Sequence, residues 1–142
     1  MNIDNLYRQV IMDHYQHPRN QAGPAHGSIT IETNNPNCGD RIFIHLLIKN
    51  DQIVDATFTG EGCSISLASA SMMTEAVKGL ALKTALELVY LFSEMMQGEE
   101  VDTNKFNMDC IESLKGVTKF PARIRCATLA WEGLKKGLIP PS

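Results

Sequence analysis

Apolar positions recur at helical spacing near the start of the chain. Leu6, Val10 and His14 share one stripe, widened by Tyr7 and Ile11, which predicts an amphipathic helix over residues 4–16 with Asp4 as its N-cap. His17 precedes Pro18 and is therefore steered toward extended backbone, closing the helix. After a loop with Gly23, Pro24 and Gly27 the spacing changes to strict alternation. Ile29, Ile31 and Thr33 alternate, then Ile42, Ile44, Leu46 and Ile48, then Val54, Ala56 and Phe58, which predicts three strands. Asn50 and Asp51 predict a tight hairpin between the second and third.

Helical spacing then returns. A helix from Ser64 to about Lys78 is rich in small residues (Ala68, Ser69, Ala70, Ser71) before Met72, Met73 and Val77. A second carries Ala85, Leu88, Val89, Phe92 and Met96 and stops at Gly98. Residues 99–106 read as a polar loop; Met108, Ile111 and Leu114 fit a short helix ended by Gly116. Pro121 suits the first turn of a last helix, packed through Ile124, Ala127, Trp131 and Leu134 and ended by Gly137. Strands followed by helices predict an α+β fold, a small three-stranded antiparallel sheet with helices packed on one face. No internal repeat or composition shift divides residues 1–142, so a single domain is expected.

Composition narrows the function. The 142 residues are 44% hydrophobic and 20% charged, with a formal net charge of −3. The 13 Lys and Arg are scattered, with no run to track a phosphate backbone, so nucleic acid is not an expected partner. The first residues lack the basic region and continuous apolar stretch of a secretory signal. No apolar run approaches the ~20 residues that span a bilayer. A soluble cytoplasmic protein, with no membrane partner, is the expectation. In that reducing setting the four cysteines are thiols, whether buried, catalytic or metal-bound, rather than disulfides.

Three of them stand where chemistry is accessible. Cys38 lies in a turn between Pro36 and Gly39, with Asp40 two residues on, so both side chains can reach one point in space. Cys63 follows Gly60-Glu61-Gly62 at the start of a helix, where the positive dipole end and open N–H groups attract an anion. Cys126 is flanked by Arg123 and Arg125, cations that would stabilise an anionic sulfur if close in space. Thiolates are strong ligands for zinc and for iron–sulfur clusters, and a carboxylate is a tolerable fourth ligand. Without a CxxC pair, spacing alone leaves metal binding and ordinary burial as alternatives. An Asp ligand would mark a site meant to exchange its metal, since structural zinc sites use Cys and His.

The remaining candidates read as packing. Cys110 falls beside core positions of the short helix, without a glycine turn or charged escort. His45 lies on a strand between Phe43 and Leu47 apolar neighbours, His14 on the apolar side of the first helix, and His17 and His26 in loops. None is spaced as a helical partner of a cysteine. Met72, Met73, Met95, Met96 and Met108 read as core filler.

Three segments, NNPNCGDRI, FTGEGCSISLASASMM and KFPARIRCATLAW, resemble the cysteine motifs of the U-type iron–sulfur cluster assembly proteins, the superfamily of IscU and the NifU N-terminal domain. The opening LYRQVIMDHYQHPRN resembles their first helix, and the likeness runs in register to about Gly137. Three features resemble the SufU-like sulfur acceptors rather than the IscU-like scaffolds. Arg125 precedes the last cysteine where scaffolds have a histidine. Lys119-Phe120-Pro121-Ala122-Arg123 stands where scaffolds have LPPVK. Residues 97–118 resemble the insertion of the SufU branch.

The resemblance implies a zinc ion on Cys38, Asp40, Cys63 and Cys126; Arg125, adjacent to Cys126, would offset the negative charge of the ligands. It implies that Cys38 accepts persulfide sulfur from a pyridoxal-phosphate cysteine desulfurase of the SufS kind, a sulfurtransferase-like role feeding cluster assembly on apo iron–sulfur proteins. The alternative within the family is a scaffold that binds iron and builds a [2Fe–2S] cluster on the same residues. Cys110 matches no family cysteine. A zinc-binding interaction module without transfer chemistry, and a disulfide redox enzyme, are the readings outside it.

Overall fold

A computed structural model describes residues 3–36, 39–102, 104, 106 and 110–139, and of residues 3–6 the backbone. Helix α1 (Ile3–Gln16) is followed by strands β1 (Ile29–Asn35), β2 (Asp40–Lys49) and β3 (Gln52–Glu61). Helices α2 (Ser64–Val77) and α3 (Leu82–Met96), a 3-10 helix (Ile111–Lys119) and α4 (Pro121–Leu138) complete the order. The strands form one antiparallel sheet in the order β1-β2-β3, as the alternation predicts, with helices packed against it.

The β2–β3 turn places Asn50 and Asp51 at φ of 52° and 59°. Both residue types tolerate this left-handed backbone, and a turn with two such residues matches the twist of a hairpin. Ile42, Ile44 and Leu46 on β2 and Ala56 and Phe58 on β3 are fully buried beneath the helices. Val54 departs from the expected alternation. A register shift between Leu47 and Ile48 sets Ile48 opposite Ile53, so Ile53 is fully buried and Val54 is 47% exposed. A bulge of this kind reverses which face the following residue takes.

The outer edge of β3 is covered by the chain itself. Phe58 N–H donates to the Asn20 carbonyl (3.0 Å) and Ala22 N–H donates to the Phe58 carbonyl (3.1 Å). Farther along, Ile53 N–H donates to the Leu80 carbonyl (2.8 Å) and Gly79 N–H to the Ile53 carbonyl (2.7 Å). These bonds satisfy backbone groups that would otherwise offer a template for another strand.

Helix α2 is the central helix, touching α1, α4 and β3. Its small residues Ser66, Ala68, Ser69, Ala70 and Ser71 are all buried, which lets neighbouring helices approach closely. Against it, Trp131 of α4 stacks on Phe92 of α3, ring centroids 4.2 Å apart at an interplanar angle of 14°. The methionines expected as core filler at 72, 73, 95 and 96 are buried there; Met108 lies outside the described residues.

Two glycines read as helix stops serve instead as sites of close approach. The helix runs past Gly137 to Leu138, and a Cβ there would lie 2.7 Å from Ile31 Cδ1 and 2.9 Å from Leu46 Cδ1. One turn earlier, a Cβ on Gly133 would lie 2.7 Å from Thr33 Cγ2. The missing side chains let α4 lie directly on β1 and β2. Gly116 sits inside the 3-10 helix, and a Cβ there would lie 2.9 Å from Tyr7 Cδ2. At the other end of the chain, α1 begins at Ile3, so Asp4 is a helical residue rather than the cap.

Candidate metal centre

Three elements converge at one end of the sheet. Asp40 opens β2 directly opposite Asn35, the last residue of β1. Gly39 before it takes φ of 73°, as its position in a tight connection requires, and its N–H donates to the Asn35 carbonyl (2.9 Å). Cys63 is the N-cap of α2, in extended conformation, and Cys126 lies in the second turn of α4. Asp40 and Cys126 are buried and Cys63 is half-buried. Cys38, expected to be both nucleophile and ligand, lies outside the described residues, between Pro36 and Gly39.

The Asp40 carboxylate occupies the N-terminus of α2. Its Oδ1 accepts the Cys63 N–H at 2.9 Å and its Oδ2 accepts the Ser66 hydroxyl at 2.6 Å. Cys63 Sγ is 3.9 Å from Oδ2 and 3.4 Å from Ser66 Oγ. A buried carboxylate needs such donors, and the open N–H groups and dipole of a helix start supply them. Gly62 makes room: a Cβ there would stand 2.9 Å from Asp40 Oδ1.

One carboxylate oxygen of Asp40 and the sulfurs of Cys63 and Cys126 all lie within 4.8 Å of one another. Around a tetrahedral zinc, ligand atoms at the usual bond lengths are about 3.5–3.8 Å apart. The 3.9 Å between Cys63 Sγ and Asp40 Oδ2 is close to that spacing. Two soft sulfurs and a hard oxygen also match the donor preferences of zinc and of iron–sulfur sites. The arrangement fits a metal.

The remaining expected candidates separate from this group. Arg125 is exposed on α4, and its guanidinium makes no ion pair among the described residues. Cys110 N-caps the 3-10 helix, half-buried against the core. His45 is held in the sheet between the Thr30 and Thr59 hydroxyls, at 2.8 and 2.9 Å. His14 is buried with Nδ1 2.8 Å from Ser71 Oγ, while its Nε2 has no hydrogen-bond partner among the described residues. Ser66 is a further residue of the site that the sequence motifs do not mark; its one local signal is its place three residues after a helix-capping cysteine. Beside Ser64 an apolar groove of about 380 Å³ opens between α1, the start of α2 and the 3-10 helix, with the 63% exposed Phe120 at its margin.

A three-stranded sheet with helices on one face, and an Asp/Cys cluster where the sheet meets two helices, define the class of this protein. The chain belongs to the family of the NifU-like N-terminal domain, whose model matches residues 6–127. It is 56% identical to the zinc-dependent sulfurtransferase SufU of Bacillus subtilis over 137 residues, covering 96% of this chain and 92% of that one. It is 44% identical to the iron–sulfur cluster assembly scaffold protein IscU of Streptococcus pyogenes serotype M1, covering 96% and 84%. Among solved structures, the candidate iron–sulfur cluster assembly scaffold of the SUF system from Fervidobacterium islandicum superposes with a TM-score of 0.85 at 32% identity, covering 92% and 95%.

Proposed function

We propose that this chain is a zinc-holding sulfur acceptor of iron–sulfur cluster biogenesis, of the SufU branch. The observation that carries the reading is the convergence of Asp40, Cys63 and Cys126 within 4.8 Å, in a chain 56% identical to a zinc-dependent sulfurtransferase. Cys38, Asp40, Cys63 and Cys126 are the proposed ligands. Bound zinc keeps its thiolate ligands deprotonated and, being redox-silent, does not itself oxidise them. Cys38 is the proposed acceptor because it stands two positions before Asp40 in the sequence, in the motif that resembles the sulfur acceptors.

The donor is a cysteine desulfurase of the SufS kind, bearing a persulfide. The Cys38 thiolate attacks the terminal sulfur, the donor's S–S bond breaks, and the donor leaves as a thiolate with the bonding pair. Cys38 then carries the persulfide, with no net oxidation. The cytoplasm is the proposed setting, where persulfides and thiols persist. The Arg125 side chain, exposed on α4 and adjacent in sequence to Cys126, is proposed to offset the negative charge of the ligands. The sulfur then goes to cluster assembly and apo iron–sulfur proteins.

The test is desulfurase turnover, measured as alanine formed, with iron-free, zinc-loaded protein. A strong stimulation that vanishes in Cys38→Ala is expected. The 44% identity to a protein named as a scaffold supports one second reading, assembly of a [2Fe–2S] cluster on the same residues. Stimulation that requires iron would favour that reading instead.

A further inference from the structure

Ser66 is the one buried hydroxyl on α2 directed at the candidate metal centre. Serines inside helices commonly return their proton to a carbonyl one turn back. Thr74 on the same helix does this, donating to the Ser71 carbonyl at 2.9 Å. Ser66 instead reaches across to Asp40 Oδ2 at 2.6 Å, a length typical of a charge-assisted O–H···O⁻ bond. It is 1% exposed and Asp40 is 2% exposed, so water does not substitute for this bond.

We propose that Ser66 is a positioning residue for the metal, resting on the ligand set above. Asp40 Oδ1 is fixed by the Cys63 N–H, and one bond alone leaves the carboxylate free to turn about it. The Ser66 hydroxyl supplies the second point, so both carboxylate oxygens are held before any metal arrives. Each oxygen keeps a lone pair for a ligand bond. Ser66 Oγ also lies 3.4 Å from Cys63 Sγ, so one side chain sets the separation of two donors. The anionic ligands gain a donor, and the site is assembled in advance rather than gathered by the ion. Partners of this kind, one shell beyond the ligands, are typically worth 10–100-fold in metal affinity.

The experiment measures zinc affinity of the full-length chain by competition with a chromophoric chelator, alongside the melting temperature of the metal-free protein. Ser66→Ala is expected to raise the zinc Kd about 10–100-fold. Ser71→Ala is the control, a buried serine of the same helix whose hydroxyl meets His14 and the Arg19 N–H instead. It is expected to lower metal-free stability and leave the zinc Kd unchanged. With Asp40 already replaced by Ala, Ser66→Ala has no carboxylate to position and keeps only the longer contact to Cys63 Sγ, so it should move the Kd by no more than about twofold. An unchanged Kd in Ser66→Ala overturns the proposal while leaving the ligand set intact, as does an equal loss in Ser71→Ala or a full loss in the Asp40→Ala background. Failure of the wild-type chain to bind zinc overturns the ligand set and the role of Ser66 together.

Discussion

Ser69 receives the indole N–H of Trp131 at 3.0 Å and donates its own proton to the carbonyl of Ala127 at 2.6 Å. Ala127 directly follows Cys126, so a buried relay ties the largest core side chain to the backbone beside a candidate metal-donor sulfur. Trp131 in turn stacks on Phe92. The position of Cys126 is thus set by the core of the helical layer and not by the surface of the site.

Removing that hydroxyl leaves the indole N–H buried without its acceptor. Ser69→Ala is expected to cost about 1–3 kcal/mol, read as a lower midpoint in equilibrium denaturant unfolding. A midpoint equal to wild type would show that the relay contributes nothing net.

Gly62→Ala tests crowding at the carboxylate. The new methyl group would stand 2.9 Å from Asp40 Oδ1 and 3.3 Å from Ser66 Cβ. The carboxylate must shift, so zinc affinity should fall by about tenfold or more, the scale of losses from disturbing a ligand's surroundings. Metal-free stability should change little beside this, and chelator competition together with thermal melting separates the two. Affinity equal to wild type would show that Asp40 can move without consequence.

Cys110 and Cys63 should behave oppositely when changed to serine. Cys110 is not one of the residues gathered at the site, so Cys110→Ser should keep its zinc in elemental analysis after dialysis, and Cys63→Ser should lose most of it. Stripping zinc from the wild-type chain should lower the melting temperature, because a site drawn from separate elements couples metal binding to folding. Zinc lost from Cys110→Ser would overturn the ligand assignment.

Acid should loosen the metal-free protein through its buried histidines. Burial pushes both His14 and His45 below their ordinary pKa of 6.5. For His14 the nearby Arg19 adds to the lowering, and Glu75 and Asp13 oppose it. The unfolded chain therefore takes up these protons first as pH falls. Stability is full above about 6.5 and is lost progressively below it, toward the lower folded values. Unfolding free energy measured between pH 7.5 and about 5 should decline, and His14→Gln should flatten the decline. A pH-independent free energy over that range would contradict it.

Features carried by local pattern were legible in the sequence. Alternation located the three strands, Asn50-Asp51 marked the hairpin, and the glycines before Cys63 placed it at a helix start. Features set by distant chain segments were not. The exchange of Val54 for Ile53 in the core follows from a bulge at Val54 itself, skipped where Leu47 pairs with Asp55 and Ile48 with Ile53, and only the register against β2 reveals it. Gly116 and Gly137 carry the residue type that ends helices, and only the side chains packed over them, Tyr7, Ile31 and Leu46, show the other use. Ser66 has no local signature because its partner lies 26 positions earlier. The group of Asp40, Cys63 and Cys126 was named from the family likeness, since spacing alone left it open. Cys38 and Met108 lie outside the described residues.

The candidate donor atoms of Asp40, Cys63 and Cys126 come from the start of β2, the N-cap of α2 and the second turn of α4. Because a chain is made from its N-terminal end, the residues of the sheet and α2 are synthesised before those of α4. Such a chain offers Asp40 and Cys63 without Cys126. Capture of a metal by the full group would therefore come late in synthesis, after the tertiary fold has closed, and occupancy would serve as a mark of maturation that separates finished molecules from partial ones.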